Sequence, residues 1–255
     1  MKYNILILLC LFVALSLGAI QDDEKLTFDI RYGIVSAAEA ELHARHIIHT
    51  DSIYTEPTHA LKVSSNAQTY SFFDIFFKVR DSIISISDQT SGEAIYYEKN
   101  LREGGYKQRR LHYYDRVNEN CIYQRWRYKQ NEFVTSNIPI TKDTYDFLGA
   151  FYHIRGQELE VGDTLTMTMS GDGSTFDAQI VVHKRENLKT IFGKLECLKI
   201  EPQLVGETIF KNSGRIFIWL TDDEFKIPVK MESEVKFGSF VAELKDAKNV
   251  GLKKN

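Results

Sequence analysis

The chain has 255 residues, 43% of them apolar, 26% charged and 12% aromatic, with only four prolines. This is the composition of a globular protein long enough to bury a sizeable core, so neither a metal nor a disulfide staple is needed for stability. The net charge of −3, with no basic tract beyond Lys253-Lys254, argues against nucleic acid or an anionic membrane as an electrostatic partner.

The first residues read as an export signal. Lys2 gives a short positive start, and residues 5–17 form an apolar run. The small Ser16, Gly18 and Ala19 precede the polar Gln21-Asp22-Asp23-Glu24-Lys25. The run is shorter than the ~20 apolar residues that a spanning helix needs. Residues 1–19 are therefore expected to be a cleaved signal peptide, and the mature chain to carry no transmembrane segment. Cys10 leaves with them. Cys121 and Cys197 sit in strand-like runs without the close spacing of a redox or zinc motif, so two separate buried thiols are expected in preference to a disulfide.

Leu26, Phe28, Ile30 and Tyr32 alternate with Thr27, Asp29 and Arg31, the period-two pattern of a half-buried strand, which Gly33 breaks. Residues 34–48 read as a second, longer strand weakened by Ala37, Ala38 and Ala40, and residues 60–67 as a third. Residues 70–77 (YSFFDIFF) are too apolar for an exposed loop and are expected to form a short helix or a buried turn that plugs one end of a sheet. Strands resume at 79–87, 94–101, 106–115 and 121–129. The last two are rich in Tyr and Arg, which suggests a face open to water or to a groove.

Thr141 or Asp143 is placed to cap a helix over residues 144–155. Tyr145, Phe147, Leu148, Phe151, Tyr152 and Ile154 leave only Asp146, Gly149 and His153 as a polar strip, so this helix is buried on more than one side. Asp172-Gly173 is a type I′ hairpin signal between strands at 164–170 and 175–183. Residues 193–244 then read as four or five strands in quick succession around the turn Thr221-Asp222-Asp223-Glu224, with Asp222 expected to bond the backbone of the turn. Nothing marks a domain boundary, so a single domain over residues 22–247 with a flexible tail at 248–255 is expected. The predicted class is mainly β: a curved antiparallel sheet, a half-barrel or barrel-like meander, packed around one main α-helix.

Six segments come in a telling order: FFDIFFKVRD (72–81), REGGY (102–106), YDFLGAFYHIR (145–155), VGDTL (161–165), GKLECLKIEP (193–202) and GRIFIWLTDDEFKIPVKMES (214–233). Together they resemble the exported bacterial family called domain of unknown function 3108, over nearly the whole mature chain, the last block being the most specific. The resemblance implies an envelope or periplasmic protein of a Gram-negative bacterium with a curved antiparallel sheet. It brings no activity, cofactor or catalytic residue with it.

The residues themselves agree in pointing away from catalysis. The sequence contains no G-x-x-x-x-G-K-[ST], no G-x-G-x-x-G and no G-x-S-x-G. On a strand, His43 and His49 share a face while His46 points away, so surface histidines are expected there and no metal site. No catalytic residues and no cofactor are assigned. The apolar rings offer more. If the helix lies inside the curve of the sheet, Phe73, Phe76, Phe77, Phe151 and Tyr152 either fill the interior or line an apolar groove, with Arg125 and Arg127 as rim contacts. The leading expectation is a non-enzymatic binding or assembly module that takes a lipid-like or other hydrophobic small molecule, or an envelope protein as partner. The alternatives are a structural or partner-binding β domain with a filled core, and an envelope hydrolase whose site has no sequence signature.

Overall fold

The computed structural model describes residues 20–205, 214–235 and 238–254; the expected signal peptide lies outside them. The chain forms β1 (Glu24–Tyr32), β2 (Val35–His49), β3 (Thr58–Thr69), β4 (Arg80–Asp88), β5 (Ala94–Glu103), β6 (Tyr106–Asp115), β7 (Asn120–Arg127), β8 (Glu132–Pro139) and a two-residue β9 (Thr144–Tyr145). Helix α1 (Phe147–Arg155) follows, and then β10 (Thr164–Gly171), β11 (Ser174–Thr190), β12 (Gly193–Leu204), β13 (Ile216–Thr221), β14 (Pro228–Glu234) and β15 (Ser239–Lys248).

All these strands share one sheet in the order β8-β7-β6-β5-β4-β3-β2-β1-β15-β14-β13-β12-β11-β10-β9. Neighbours are antiparallel except for β9 and β10, which pair in parallel through Thr168–Thr144 and Met169–Tyr145. The first and last strands in sequence are neighbours at the middle of the sheet, and its two free edges, β8 and β9, are adjacent in sequence. The predicted curved antiparallel sheet around one main helix is the observed architecture. Register shifts at Thr27/Phe28, Ile30/Arg31, Ile86/Ser87, Val182/Lys184 and Trp219/Leu220 supply curvature, because an extra residue on one strand bends it and increases its twist.

Hairpin connections place alternate turns at opposite ends of the sheet. The base carries the start of β1 and the turns β2–β3, β4–β5, β6–β7, β11–β12 and β13–β14. The rim carries the turns β1–β2, β3–β4, β5–β6, β7–β8 and β10–β11, with the end of β12, the start of β13, the end of β14 and the start of β15. Small residues on β2 and β4 make room for the helix: Ala44 is fully buried against Tyr152, and the buried Ser85 touches the helix N-terminus.

The two halves of the sheet meet at the β10–β11 turn. Asp172 and Gly173 both have positive φ, 52° and 96°, as the type I′ hairpin requires. The Asp172 carboxylate lies 2.6 Å from Lys99 Nζ on β5 and 2.5 Å from Arg110 Nη1 on β6. A Cβ on Gly173 would come 2.9 Å from the Tyr123 ring on β7. Gly173→Ala is therefore expected to destabilise the protein by about 1–3 kcal/mol, from backbone strain and the displaced ring together, read as a lower urea midpoint.

Several local expectations change. The helix starts at residue 147, not 144, and its cap is Asp146, neither Thr141 nor Asp143, because residues 144–145 are first drawn into the parallel pairing with β10. In the 221–224 turn it is Asp223, not Asp222, that accepts the N–H groups of Phe225 (2.9 Å) and Lys226 (3.1 Å). Asp222 instead accepts from Arg185 Nε at 2.6 Å. Cys121 and Cys197 are separate, buried free thiols, and burial pushes them up to about 12 and about 11. In the stretch expected as a tail, Val250 and Leu252 pack against the core formed by Leu26, Phe28, Trp219 and Leu244.

Candidate ligand-binding site

The site is built around α1. Asp146 Oδ1 accepts the N–H groups of Leu148 and Gly149, each at 2.9 Å, and Ser85 Oγ donates to Oδ2 at 2.7 Å. Asp146 is fully buried, and that burial pushes its carboxyl up to about 6, against the three donors that favour the charge. From this cap the helix descends through the concave side of the sheet toward the base. Phe147, Ala150, Phe151 and Ile154 recur at helical spacing and face β10 to β13, while Tyr152 and Arg155 face β1 to β3.

The helix ends on a buried ion pair at the base. Arg155 is 0% and Glu24 1% exposed. Arg155 Nη1 and Nη2 donate to Glu24 Oε1 at 2.6 Å and Oε2 at 2.8 Å. Its Nε donates to the Lys226 carbonyl at 3.0 Å, and Nη2 also to the Phe225 carbonyl at 3.1 Å. The guanidinium sits 4.8 Å from the Tyr152 ring centroid. One side chain therefore joins the helix C-terminus to β1 and to the β13–β14 turn.

Between the first helix face and the sheet lies an open cavity of about 840 Å³. Phe147, Phe151 and Ile154 form its helical wall, opposed by Met167 and Met169 on β10 and Ile180 on β11. Ile200, Ile218 and Met231 continue the wall across β12, β13 and β14. Toward the rim the lining becomes mixed, with Leu204 and Ile216 beside Glu201, Gln203, Arg215 and Glu234. Arg215 forks onto Glu201, Nε to Oε1 at 2.7 Å and Nη2 to Oε2 at 2.8 Å, and His183 Nε2 lies 2.7 Å from Oε2. The Arg215 hydrogen bonds, helped by His183, hold the Glu201 carboxyl down to about 2. The cavity can thus enclose an apolar body and meet a polar end group at the rim.

Of the residues expected to line a groove, Phe151 lines this cavity. Tyr152 lies on the opposite helix face, buried against Ala44, Leu61 and Val63, and borders a separate space of about 120 Å³ with His46 and His153. Phe73, Phe76 and Phe77 stand elsewhere, on and after the single 3-10 turn Phe73–Ile75 between β3 and β4. The segment forms the short helix expected, as one 3-10 turn, but it is not buried as a plug: Phe76 and Phe77 are exposed. Arg80 forks onto Asp74, Nη1 to Oδ1 at 3.0 Å and Nη2 to Oδ2 at 2.5 Å, and so pins the turn at the rim. Arg125 and Arg127 stand exposed on β7, Arg127 3.8 Å from Glu132, and do not border the cavity. His43 and His49 pair separately with Asp23 and Asp51. The cavity walls that sequence reasoning left out, such as Met167, Met169 and Ile200, carry a signal of inward alternation only, which a filled core would share.

A family model described as "Protein of unknown function (DUF3108)" matches residues 27–245. No curated protein matches the chain. Among solved structures, the chain is similar to a beta-barrel-like protein of domain of unknown function DUF1849 from Brucella abortus, with a TM-score of 0.57 at 8% identity, over 91% of this chain and 99% of that one. A candidate exported protein with a YmcC-like fold from Bacteroides fragilis gives a TM-score of 0.34 at 11% identity, over 89% and 96% of the two chains. A candidate lipoprotein from Parabacteroides distasonis gives 0.32 at 9% identity, over 89% and 95%.

Proposed function

We propose that this chain, which belongs to the DUF3108 family, is a non-enzymatic, exported binding module of the bacterial envelope that holds a lipid-like molecule between its helix and its sheet. The observation that carries this reading is the cavity of about 840 Å³. Protein interiors normally pack to the density of organic crystals, and a filled-core structural domain would leave no space beyond a few waters. An apolar space within the roughly 300–1,000 Å³ range of small-molecule sites is instead suited to an occupant. The polar groups gathered toward the rim favour a molecule with an apolar body and a polar head. Export rests on the signal-like residues 1–19 and on the family resemblance.

Native mass spectrometry of protein purified from a bacterial envelope, followed by titration of the stripped protein with a fluorescent fatty acid, tests the reading. Wild type is expected to carry an apolar small molecule and, once stripped, to take up the probe. Ala178→Trp places an indole in the cavity wall and is expected to weaken probe binding about tenfold or more, a loss of at least ~1.4 kcal/mol, with the circular dichroism spectrum unchanged. Wild type that is empty and binds no probe would remove the proposal.

A further inference from the structure

We infer that the rim end of the sheet is a membrane-docking surface, which seats the protein on a lipid bilayer with the cavity mouth toward the lipid. The inference deepens the lipid-like reading and rests on it for the purpose of docking, but it uses different residues. Alternate turns of the meander gather at the rim, and their tips carry exposed apolar side chains. Ile34 on the β1–β2 turn is 99% exposed, and Phe72, Ile75 and Phe76 on the β3–β4 turn are 67%, 78% and 73% exposed. Tyr106 at the rim end of β6 and Tyr128 on the β7–β8 turn add exposed rings. Single exposed apolar residues are normal anywhere on a protein surface; their concentration on successive tips of one end needs a partner that accepts them.

The chemistry of the tips selects a bilayer as that partner. They project from separate turns and border neither cavity, whereas a fluid surface accepts side chains at several depths. Three exposed rings are each followed by a lysine, in Phe77-Lys78, Tyr106-Lys107 and Tyr128-Lys129, and none of these lysines belongs to an ion pair among the described residues. A ring at headgroup depth beside an amine that reaches lipid phosphate is the chemistry of the membrane interface. The net charge of −3 opposes attachment by charge alone, so the apolar tips supply the affinity and the lysines the orientation. The cavity wall reaches the same end through Leu204, Arg215 and Ile216, while Arg155 and Glu24 tie the helix end to β1 at the base. An apolar molecule can then pass between bilayer and cavity without crossing bulk water.

The test is co-sedimentation of the mature chain with vesicles of phosphatidylethanolamine and phosphatidylglycerol. Wild type is expected to partition into the pellet, and the triple variant Phe72→Ser/Ile75→Ser/Phe76→Ser to lose about tenfold or more in partition coefficient, as does Ile34→Asp. The base variant Ile48→Ser/Val117→Ser removes equally exposed apolar groups and is expected to stay within about twofold of wild type. Lys78→Glu/Lys107→Glu/Lys129→Glu is expected to weaken binding to these vesicles more than to pure phosphatidylcholine. The rim variants are expected to keep wild-type binding of the fatty-acid probe, so that failure of docking and failure of the cavity reading register in different assays. The inference is overturned if wild type stays in the supernatant, if the base variant loses as much as the rim variants, or if light scattering shows that the rim substitutions dissociate an oligomer, which would make the tips a self-association surface.

Discussion

Arg155→Leu is expected to lower the unfolding free energy by about 3–5 kcal/mol, the usual consequence of stranding one partner of a buried ion pair. The reason is local. Glu24 is 1% exposed and meets Arg155 through two hydrogen bonds of 2.6 and 2.8 Å; without the guanidinium its carboxylate has only the Tyr152 hydroxyl, at 3.3 Å. The carbonyls of Lys226 and Phe225 lose their donors as well. Glu24→Gln is expected to be comparably damaging, because a buried guanidinium cannot relieve itself by giving up a proton. The double variant Glu24→Leu/Arg155→Leu should recover much of the loss, since two apolar groups in place of a buried pair are often neutral or better. Urea unfolding of wild type, Arg155→Leu, Glu24→Leu and the double variant at pH 7 closes the cycle and gives the coupling energy directly. A single-variant loss below about 1 kcal/mol would show that the pair is no more than a surface-type contact. Because the same pair holds the helix end at the base, both single variants are also expected to weaken binding of the fatty-acid probe, and the double variant to do so less.

What the sequence made legible follows the range of the forces involved. The alternation of Leu26, Phe28, Ile30 and Tyr32 is a local pattern that marks β1, although only Leu26 and Phe28 of the four are buried. Asp172-Gly173 demands its turn through backbone sterics alone, and the hairpin is there. Strand β8 escaped because Glu132–Pro139 is exposed over much of its length and joins the sheet by backbone pairing with β7, which leaves no side-chain period to read. The helix start was misplaced for a related reason. Thr141 and Asp143 are good capping residues, but pairing of Thr144 and Tyr145 with β10 is a tertiary event that delays the helix to Asp146. For the site, Phe151 was readable because helical periodicity places it on an apolar face. The hollow itself was not, since Met167 and Ile200 alternate in the same way whether the helix touches them or stands off. In the 70–77 segment a short helix forms, but apolarity does not bring burial, and the Arg80–Asp74 pair that pins the turn is invisible to composition.

Two buried titratable groups are expected to cancel each other in the acid response of wild type, and single substitutions should expose them with opposite signs. His112 is fully buried among the rings of Tyr97, Tyr114 and Tyr123, with centroids at 5.5, 6.2 and 4.9 Å. Burial pushes its imidazole down to about 4 from an ordinary 6.5, with Lys99 and Arg110 adding to the effect and Asp172 opposing it. As pH falls from 6.5 to 4, the unfolded chain takes up a proton that the folded chain refuses, and stability drops by about 3 kcal/mol. Asp146 runs the other way. Its carboxyl, raised from 3.8 to about 6, keeps a proton in the folded state that the unfolded chain releases, so stability drops by about 3 kcal/mol as pH rises from 3.8 to 6. Between pH 4 and 6 the two slopes offset. Asp146→Asn keeps a good helix cap and removes only the acid, so relative to wild type its stability should climb by about 3 kcal/mol between pH 4 and 6.5. His112→Phe should instead lose stability, relative to wild type, as pH rises over the same interval. Urea midpoints of the three proteins at pH 4, 5, 6 and 7 decide the matter. Glu201, held down to about 2 by Arg215, is common to all three and drops out of the differences. Curves that stay parallel for wild type and both variants would show that neither group carries a folded-state shift, and that the pocket of rings around His112 admits enough water to keep its imidazole at an ordinary value.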